Sequence, residues 1–212
     1  MFTGIVEETG KIKTLNITGS SGTITIQARK VLEGTIIGDS IAVDGICLTV
    51  TDKGADFFTA DVMAETVRRS CLAGKSSGSA VNLERAMPAQ GRFGGHIVSG
   101  HIDGTGTVRE LRREENAVWI TIDADRNILK YIIEKGSITI DGISLTVAEV
   151  TDAYFKVSVI PHTGEETTLL GRKPGDKVNL ENDIIGKYVE KLMKPEQSKK
   201  GITLEYLQEN GF

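Results

Sequence analysis

The 212-residue sequence predicts an all-β protein: two small antiparallel barrels in tandem, followed by a helical tail. Three observations carry that prediction. Short runs of β-branched residues alternate with period two between glycine-rich turns, the pattern of many short strands rather than of strand–helix units. Glycine is abundant at 24 residues and proline scarce at 4, which suits tight turns and leaves little room for a disordered linker. Finally, the stretch Ser40–Val50 (SIAVDGICLTV) returns ninety-seven residues later as Ser137–Val147 (SITIDGISLTV), with eight of eleven positions identical.

Taken in order, Thr23–Gln27 and Val118–Ile122 alternate as strands with one buried face, and Gly19–Gly22, Asp52–Gly54 and Glu114–Asn116 supply turns. The repeat continues beyond its best segment, pairing Phe58 with Phe155, Met63 with Ile160, Thr66 with Thr163, Gly78 with Gly175, and Val81–Glu84 with Val178–Glu181. Thr9–Ile12 finds its echo in Thr105–Val108, one residue out of step. Two copies are too few for a solenoid, so each module of about 90 residues must close its own core. Closure into a barrel leaves no sheet edge exposed. The bridge Met87–Gly95 separates the copies, giving expected domains at residues 1–88 and 89–186 with a helical segment over 187–212.

Helices are expected at Arg126–Lys135, closed by Gly136, and through the tail. There Ile185, Tyr188, Val189, Leu192 and Met193 recur at helical spacing until Pro195, and Leu204–Asn210 follows with Thr203 as N-cap and Gly211 as stop. The apolar stripe needs a partner, either its own barrel or another copy of the chain.

A net charge of −4, with Arg68-Arg69 and Arg112-Arg113 set among acids and small residues, argues against a nucleic-acid surface. Cys47 and Cys71 form no CxxC and no disulfide framework, so a reducing, cytosolic setting is expected. Met1–Glu8 has neither a basic leader nor a long apolar core, and no membrane span is legible. Gly74-Lys75-Ser76 would end a phosphate loop only if glycine stood at Arg69, and Gly100, Gly104 and Gly106 make no dinucleotide fingerprint. His96, His101 and His162 have no metal-ligand spacing.

What remains is an asymmetry. Cys47 and Ser144 occupy the same place in the two copies, each two residues before a threonine, Thr49 or Thr146, on the same face of a strand. Small core filler is one reading. A polar pair repeated on one face is also the pattern of a ligand-facing edge. The copies differ further at Ala86/Asp183 and Ile5/His101, which points to two related pockets with unequal roles, although an aspartate at a loop tip also makes turns.

Together with Met1–Glu7 (MFTGIVE), Gly94–His101 (GGHIVSGH) and the paired strands ending in Val-Asn-Leu-Glu, these residues resemble riboflavin synthases of the α-chain type, the lumazine-binding double-barrel family, over the whole chain. The resemblance implies two six-stranded Greek-key barrels and a homotrimer assembled through the C-terminal helix. It implies a dismutation in which two molecules of 6,7-dimethyl-8-ribityllumazine exchange a four-carbon unit, giving riboflavin and 5-amino-6-ribitylaminouracil with no cofactor and no metal. It further implies one lumazine on each barrel and an active site that joins the N-terminal barrel of one subunit to the C-terminal barrel of a neighbour. Some relatives dock inside a lumazine synthase shell.

Carried over by position, the first pocket is expected to use Gly4, Ile5 and Val6, then Cys47, Leu48 and Thr49, and then Asp61, Val62, Met63, Ala64, Glu65 and Thr66. The second is expected to use Gly100, His101 and Ile102, Lys135, Ser144, Leu145 and Thr146, and Val159, Ile160, Pro161, His162, Thr163 and Gly164. The family's chemistry falls on Cys47, His101, Ser144, Thr146 and Asp183, with Phe2 also sensitive. Proton removal from an acidic methyl and addition of a nucleophile to the second ring suit such groups, and holding two flat rings face to face supplies much of the acceleration. The alternative is a non-catalytic antenna protein of the same architecture; such relatives tend to lose the polar residues of the second module, which persist here. A flavin-binding oxidoreductase barrel would need a nicotinamide-binding domain that nothing in the sequence supplies.

Overall fold

A computed structural model describes residues 1–19, 21–193 and 204–211. In the first barrel, β1 (Glu8–Thr18), β2 (Ser21–Gln27), β3 (Ser40–Val43), β4 (Ile46–Lys53), β5 (Phe57–Val62) and β6 (Ala80–Arg85) close in the order β1-β2-β5-β4-β3-β6, with helix α1 (Ala64–Arg69) after β5. The second repeats the plan: β7 (Gly104–Glu114), β8 (Ala117–Asp123), α2 (Arg126–Leu129), β9 (Ser137–Ile140), β10 (Ile143–Val150), β11 (Tyr154–Val159), α3 (Pro161–Glu165) and β12 (Lys177–Asn182). Because β2 pairs with β5 rather than β3, and β8 with β11 rather than β9, both barrels are Greek keys. Helices α4 (Ile184–Met193) and α5 (Leu204–Glu209) follow. No helix of the described residues is long and apolar enough to cross a membrane.

Period-two alternation decides what fills each barrel. Ile24, Ile26, Ile41, Leu48, Val50 and Phe58 close one core, and Ile120, Ile122, Ile138, Leu145, Val147 and Phe155 close the other. On β4, Ile46, Leu48 and Val50 are buried, so Cys47 and Thr49 face outward; on β10, Ser144 and Thr146 do the same. Neither Cys47 nor Ser144 therefore fills a barrel interior, although Cys47 packs on the small buried cluster of Phe2, Ala42 and Val98. The one-residue slip in the repeat also has a place. β1 and β7, like β2 and β8, begin 96 residues apart, whereas β3 and β9 begin 97 apart, so the extra residue lies between Asp123 and Ser137.

That connection is also where the expected Arg126–Lys135 helix shortens. Only Arg126–Leu129 is α-helical. Tyr131 and Ile132 tighten onto carbonyls three residues back, at 3.1 and 3.0 Å, as Ile128, Leu129 and Ile132 are buried over the barrel end. The Lys135 amide is already committed to the Val147 carbonyl at 2.8 Å, and Lys135, not Gly136, takes the left-handed conformation, at φ 65°. In the tail, α4 and α5 form as expected and Gly211 adopts φ 83°; Pro195 and Thr203 lie outside the described residues.

The barrels meet about a pseudo-two-fold axis. The hairpin residues Asp44 and Asp141 each accept the amide of their own barrel's asparagine, Asn82 or Asn179, at 2.8 Å. Each asparagine then donates its side-chain amide to the other barrel, Asn82 to the Asp141 carbonyl and Asn179 to the Asp44 carbonyl, both at 2.9 Å. Lys75 pairs with Asp44 at 2.6 Å and Arg172 with Asp141 at 2.7 Å. The repeated Val-Asn-Leu-Glu strand is thus conserved between the copies because its polar residues are buried glue that must be satisfied.

Candidate active site

The segments that lead into the two barrels cross over. Phe2 and Val98 exchange two backbone hydrogen bonds, at 2.8 and 3.1 Å, on the pseudo-two-fold axis. Beyond that point, Glu84 of the first barrel gathers the Thr3 amide and hydroxyl at 2.6 and 2.8 Å and the Gly4 amide at 3.0 Å. Glu181 does the same for Ser99, at 2.6 Å each, and for the Gly100 and His101 amides at 3.0 and 3.1 Å. Burial pushes the Glu84 carboxyl up, opposed by its bonds to Thr3 and Gly4.

The crossing corrects the expected grouping of pocket residues. Gly4 lies against Ser144, not Cys47: the Ser144 amide donates to the Gly4 carbonyl at 2.8 Å, and Val6 packs on the second core. Gly100 lies against Cys47, whose amide donates to the Gly100 carbonyl at 2.9 Å, and Ile102 packs on the first core. Both glycines hold φ near +80°, and a Cβ on either would stand within 2.6 Å of its neighbour's Cβ, so nothing larger fits.

Around Cys47 the crossing creates a cleft of about 380 Å³, lined by Cys47, Glu65, Thr66, Gly100, His101 and Ile102. Lys187 of α4 closes its rim through Asp103 at 2.6 Å. Met63 is exposed beside it at the head of α1. Asp61 and Thr49 are also exposed, and Ala64 is half-buried. Phe2 is fully buried with Ala42 and Val98 beneath Cys47, so it supports the site from behind.

Around Ser144 the surroundings differ. His96 Nδ1 stands 2.7 Å from Ser144 Oγ, and His96 Nε2 stands 3.1 Å from Thr139 Oγ1. Burial holds the imidazole below its ordinary pKa, with the Asp183 charge pulling the other way. Asp183 caps α4, accepting the Ile185 amide at 3.0 Å, and lines a groove of about 470 Å³ with Ser137, whose cross-strand partner is Thr146. The corresponding groove on the first barrel, about 590 Å³, holds Ile5, Ser40 and Ala86. Lys135, Ile160, Pro161 and His162 are exposed, and Thr163 and Gly164 half-buried, on the second barrel's outer side.

Within one chain, then, His101 joins Cys47, while Ser144 and Asp183 belong to the other barrel. Leu48, Val62, Leu145 and Val159 point into the cores and can offer a ligand only main chain. Sequence reasoning missed His96, Glu84 and Glu181 as parts of the sites. For the glutamates the signal was present in the repeated Val-Asn-Leu-Glu; for His96 nothing local marks it, because its partners lie 48 and 43 residues away. Among the described residues no group of three or more His, Cys, Asp or Glu side chains is placed to hold a metal ion.

The model of the lumazine binding domain matches twice, over residues 3–86 and 99–183, so each match takes in one barrel and its leading segment. The chain is 54% identical to the riboflavin synthase of Actinobacillus pleuropneumoniae and 47% identical to that of Bacillus subtilis (strain 168), each alignment covering all of both chains. Among solved structures it is similar to LumP complexed with 6,7-dimethyl-8-(1'-D-ribityl) lumazine, at 26% identity and a TM-score of 0.78, covering 86% of this chain and 99% of that one.

Proposed function

The chain belongs to the riboflavin synthase family, whose two barrels are lumazine-binding domains, and we propose that it dismutates two molecules of 6,7-dimethyl-8-ribityllumazine. A four-carbon unit passes from one lumazine to the other, giving one riboflavin and one 5-amino-6-ribitylaminouracil. The observation that carries this reading is the unequal equipment of two symmetry-related sites. Cys47 lies under Gly100 and His101 in one, while Ser144 lies under Gly4 with His96 behind it in the other. Two identical substrates with different fates, donor and acceptor, need such a difference.

In this reading the first site uses Cys47, Thr49, Asp61–Thr66 and Gly100–Ile102, and the second uses Gly4–Val6, Lys135, Ser144–Thr146 and Val159–Gly164. His101 and Asp183 join Cys47, Ser144 and Thr146 in the chemistry. Cys47 and Ser144 sit on different barrels, so the rings come face to face between subunits of a homotrimer, where close positioning replaces a bimolecular encounter. Exposed Ile185, Tyr188, Val189, Leu192 and Met193 on α4 support that assembly, as an apolar face of this size calls for a partner.

The test is turnover. Purified protein given the lumazine should consume two molecules for each riboflavin formed, with one aminouracil released. Tight binding without riboflavin would return the chain to the antenna class.

A further inference from the structure

The Ser144 hydroxyl is held from behind. Ser144 and Thr139 face each other across the β9–β10 ladder, and the His96 ring bridges their hydroxyls, Nδ1 to Ser144 Oγ at 2.7 Å and Nε2 to Thr139 Oγ1 at 3.1 Å. At the first barrel the same ladder pair is Cys47 and Ala42, which has no second hydroxyl to hold an imidazole. His96 is only 8% exposed, so its effect on a bound ring must pass through Ser144.

Satisfaction of the buried hydroxyl decides where the protons lie. Thr139 is 1% exposed, and among the described residues its hydroxyl has one hydrogen-bond partner, His96 Nε2. Accepting from Nε2–H would leave the threonine's own proton buried without an acceptor. Thr139 therefore donates to Nε2. The neutral ring carries its proton on Nδ1, and Nδ1–H donates to Ser144 Oγ. With that lone pair occupied, the serine's own proton turns outward.

We propose that His96 is a positioning residue that fixes Ser144 as a hydrogen-bond donor toward the lumazine on the second barrel, rather than as a base or nucleophile. The proposal rests on the lumazine reading above. A donor aimed in advance stabilises negative charge as it develops on the ring, without reorganising during the reaction.

Nitrogen NMR of the ligand-free protein with labelled histidine reads the first half directly. A neutral His96 with its proton on Nδ1 is expected, and a proton on Nε2 overturns the proposal. Kinetics read the second half. His96→Phe should lower kcat about tenfold or more, with little change in KM. His96→Asn, which keeps a donor near the Nδ1 place, should recover most of it. Added to Ser144→Ala, His96→Phe should cost nothing further. Equal fractional losses in both backgrounds, or an asparagine variant as slow as the phenylalanine variant, overturns the proposal; if His96→Phe does not fold, His96→Asn and the tautomer decide. Wild-type protein that binds lumazine but forms no riboflavin defeats the enzyme reading instead, and the tautomer still judges His96.

Discussion

The amide of Ser144, in the second barrel, donates to the carbonyl of Gly4, in the segment that leads into the first barrel, at 2.8 Å. Gly100 returns the same contact to Cys47 at 2.9 Å. Each candidate site is therefore completed by the other module's leader, and substitution of a leader should damage the opposite barrel's site.

Gly4→Ala tests this. The side chain would meet Ser144 and hold a left-handed φ of 77°, which alone costs about 1–2 kcal/mol. We expect a lower melting temperature and weaker lumazine binding at the Ser144 site, with the Cys47 cleft retaining its affinity. Fluorescence titration of the two sites checks it, and loss confined to the Cys47 cleft would reverse the assignment.

Ser144→Ala should separate chemistry from packing. The side chain faces away from the barrel core, so the stability cost should be confined to the His96 Nδ1–H left unpaired behind it, about 1–3 kcal/mol, read as a fall of several degrees in melting temperature. Turnover should fall by about tenfold or more. A collapse in stability with normal specific activity would make the serine structural.

Lys135 holds φ 65°, whereas its counterpart Gly38 holds φ 97°, and both donate to the facing strand, to Val147 and Val50. A left-handed lysine costs about 1 kcal/mol, against a smaller entropic loss for glycine. Lys135→Gly is therefore expected to raise the melting temperature by about 1–2 °C, and, on the proposal that the exposed amine serves the ligand, to raise KM several-fold. An unchanged KM would leave the strained lysine without that role.

Asp141 titrates unusually. Burial and the facing Asp44 charge raise its pKa to about 6, against the pull of Arg172. Between roughly pH 4 and 6 the folded chain binds more protons at this residue than the unfolded chain, so its contribution to stability declines as pH rises through that window. The stability of wild type minus that of Asp141→Asn, whose side chain stays neutral throughout, should rise as pH falls from 7 to 4, read from thermal melts across that range. A constant gap would show that the buried carboxyl does not titrate there.

Leu192 is 81% exposed on α4 and lies away from the Lys187–Asp103 pair that closes the Cys47 cleft. Leu192→Glu should shift the protein toward monomer in sedimentation and depress turnover by about tenfold or more, with each barrel still able to hold one lumazine. A fully active monomer would remove the need for a site between subunits.

Much of the fold was legible in the sequence. The Cys47/Thr49 and Ser144/Thr146 pairs were correctly placed on one face because strand alternation is local and has a fixed period. The Arg126–Lys135 helix was overextended, since the pull of Ile128, Leu129 and Ile132 into the barrel end and the ladder bond of Lys135 are tertiary. Asp183 was read both as a turn residue and as a site residue, and its cap of Ile185 supports the first while its groove beside Ser137 leaves room for the second.

By itself the sequence determined two β modules, their matching strands and the positions where they differ, because sterics and apolar periodicity act over a few residues. Only the tertiary structure decided which barrel each leader completes. A repeat reports that Gly4 and Gly100 are equivalent, but not which copy either one docks on. Phe2 pairing with Val98 exchanges the leaders across the axis, while Glu84 and Glu181 each satisfy the buried amides of their own barrel's leader. The same long-range closure brings His96 to Ser144, across 48 residues that carry no local sign of the contact.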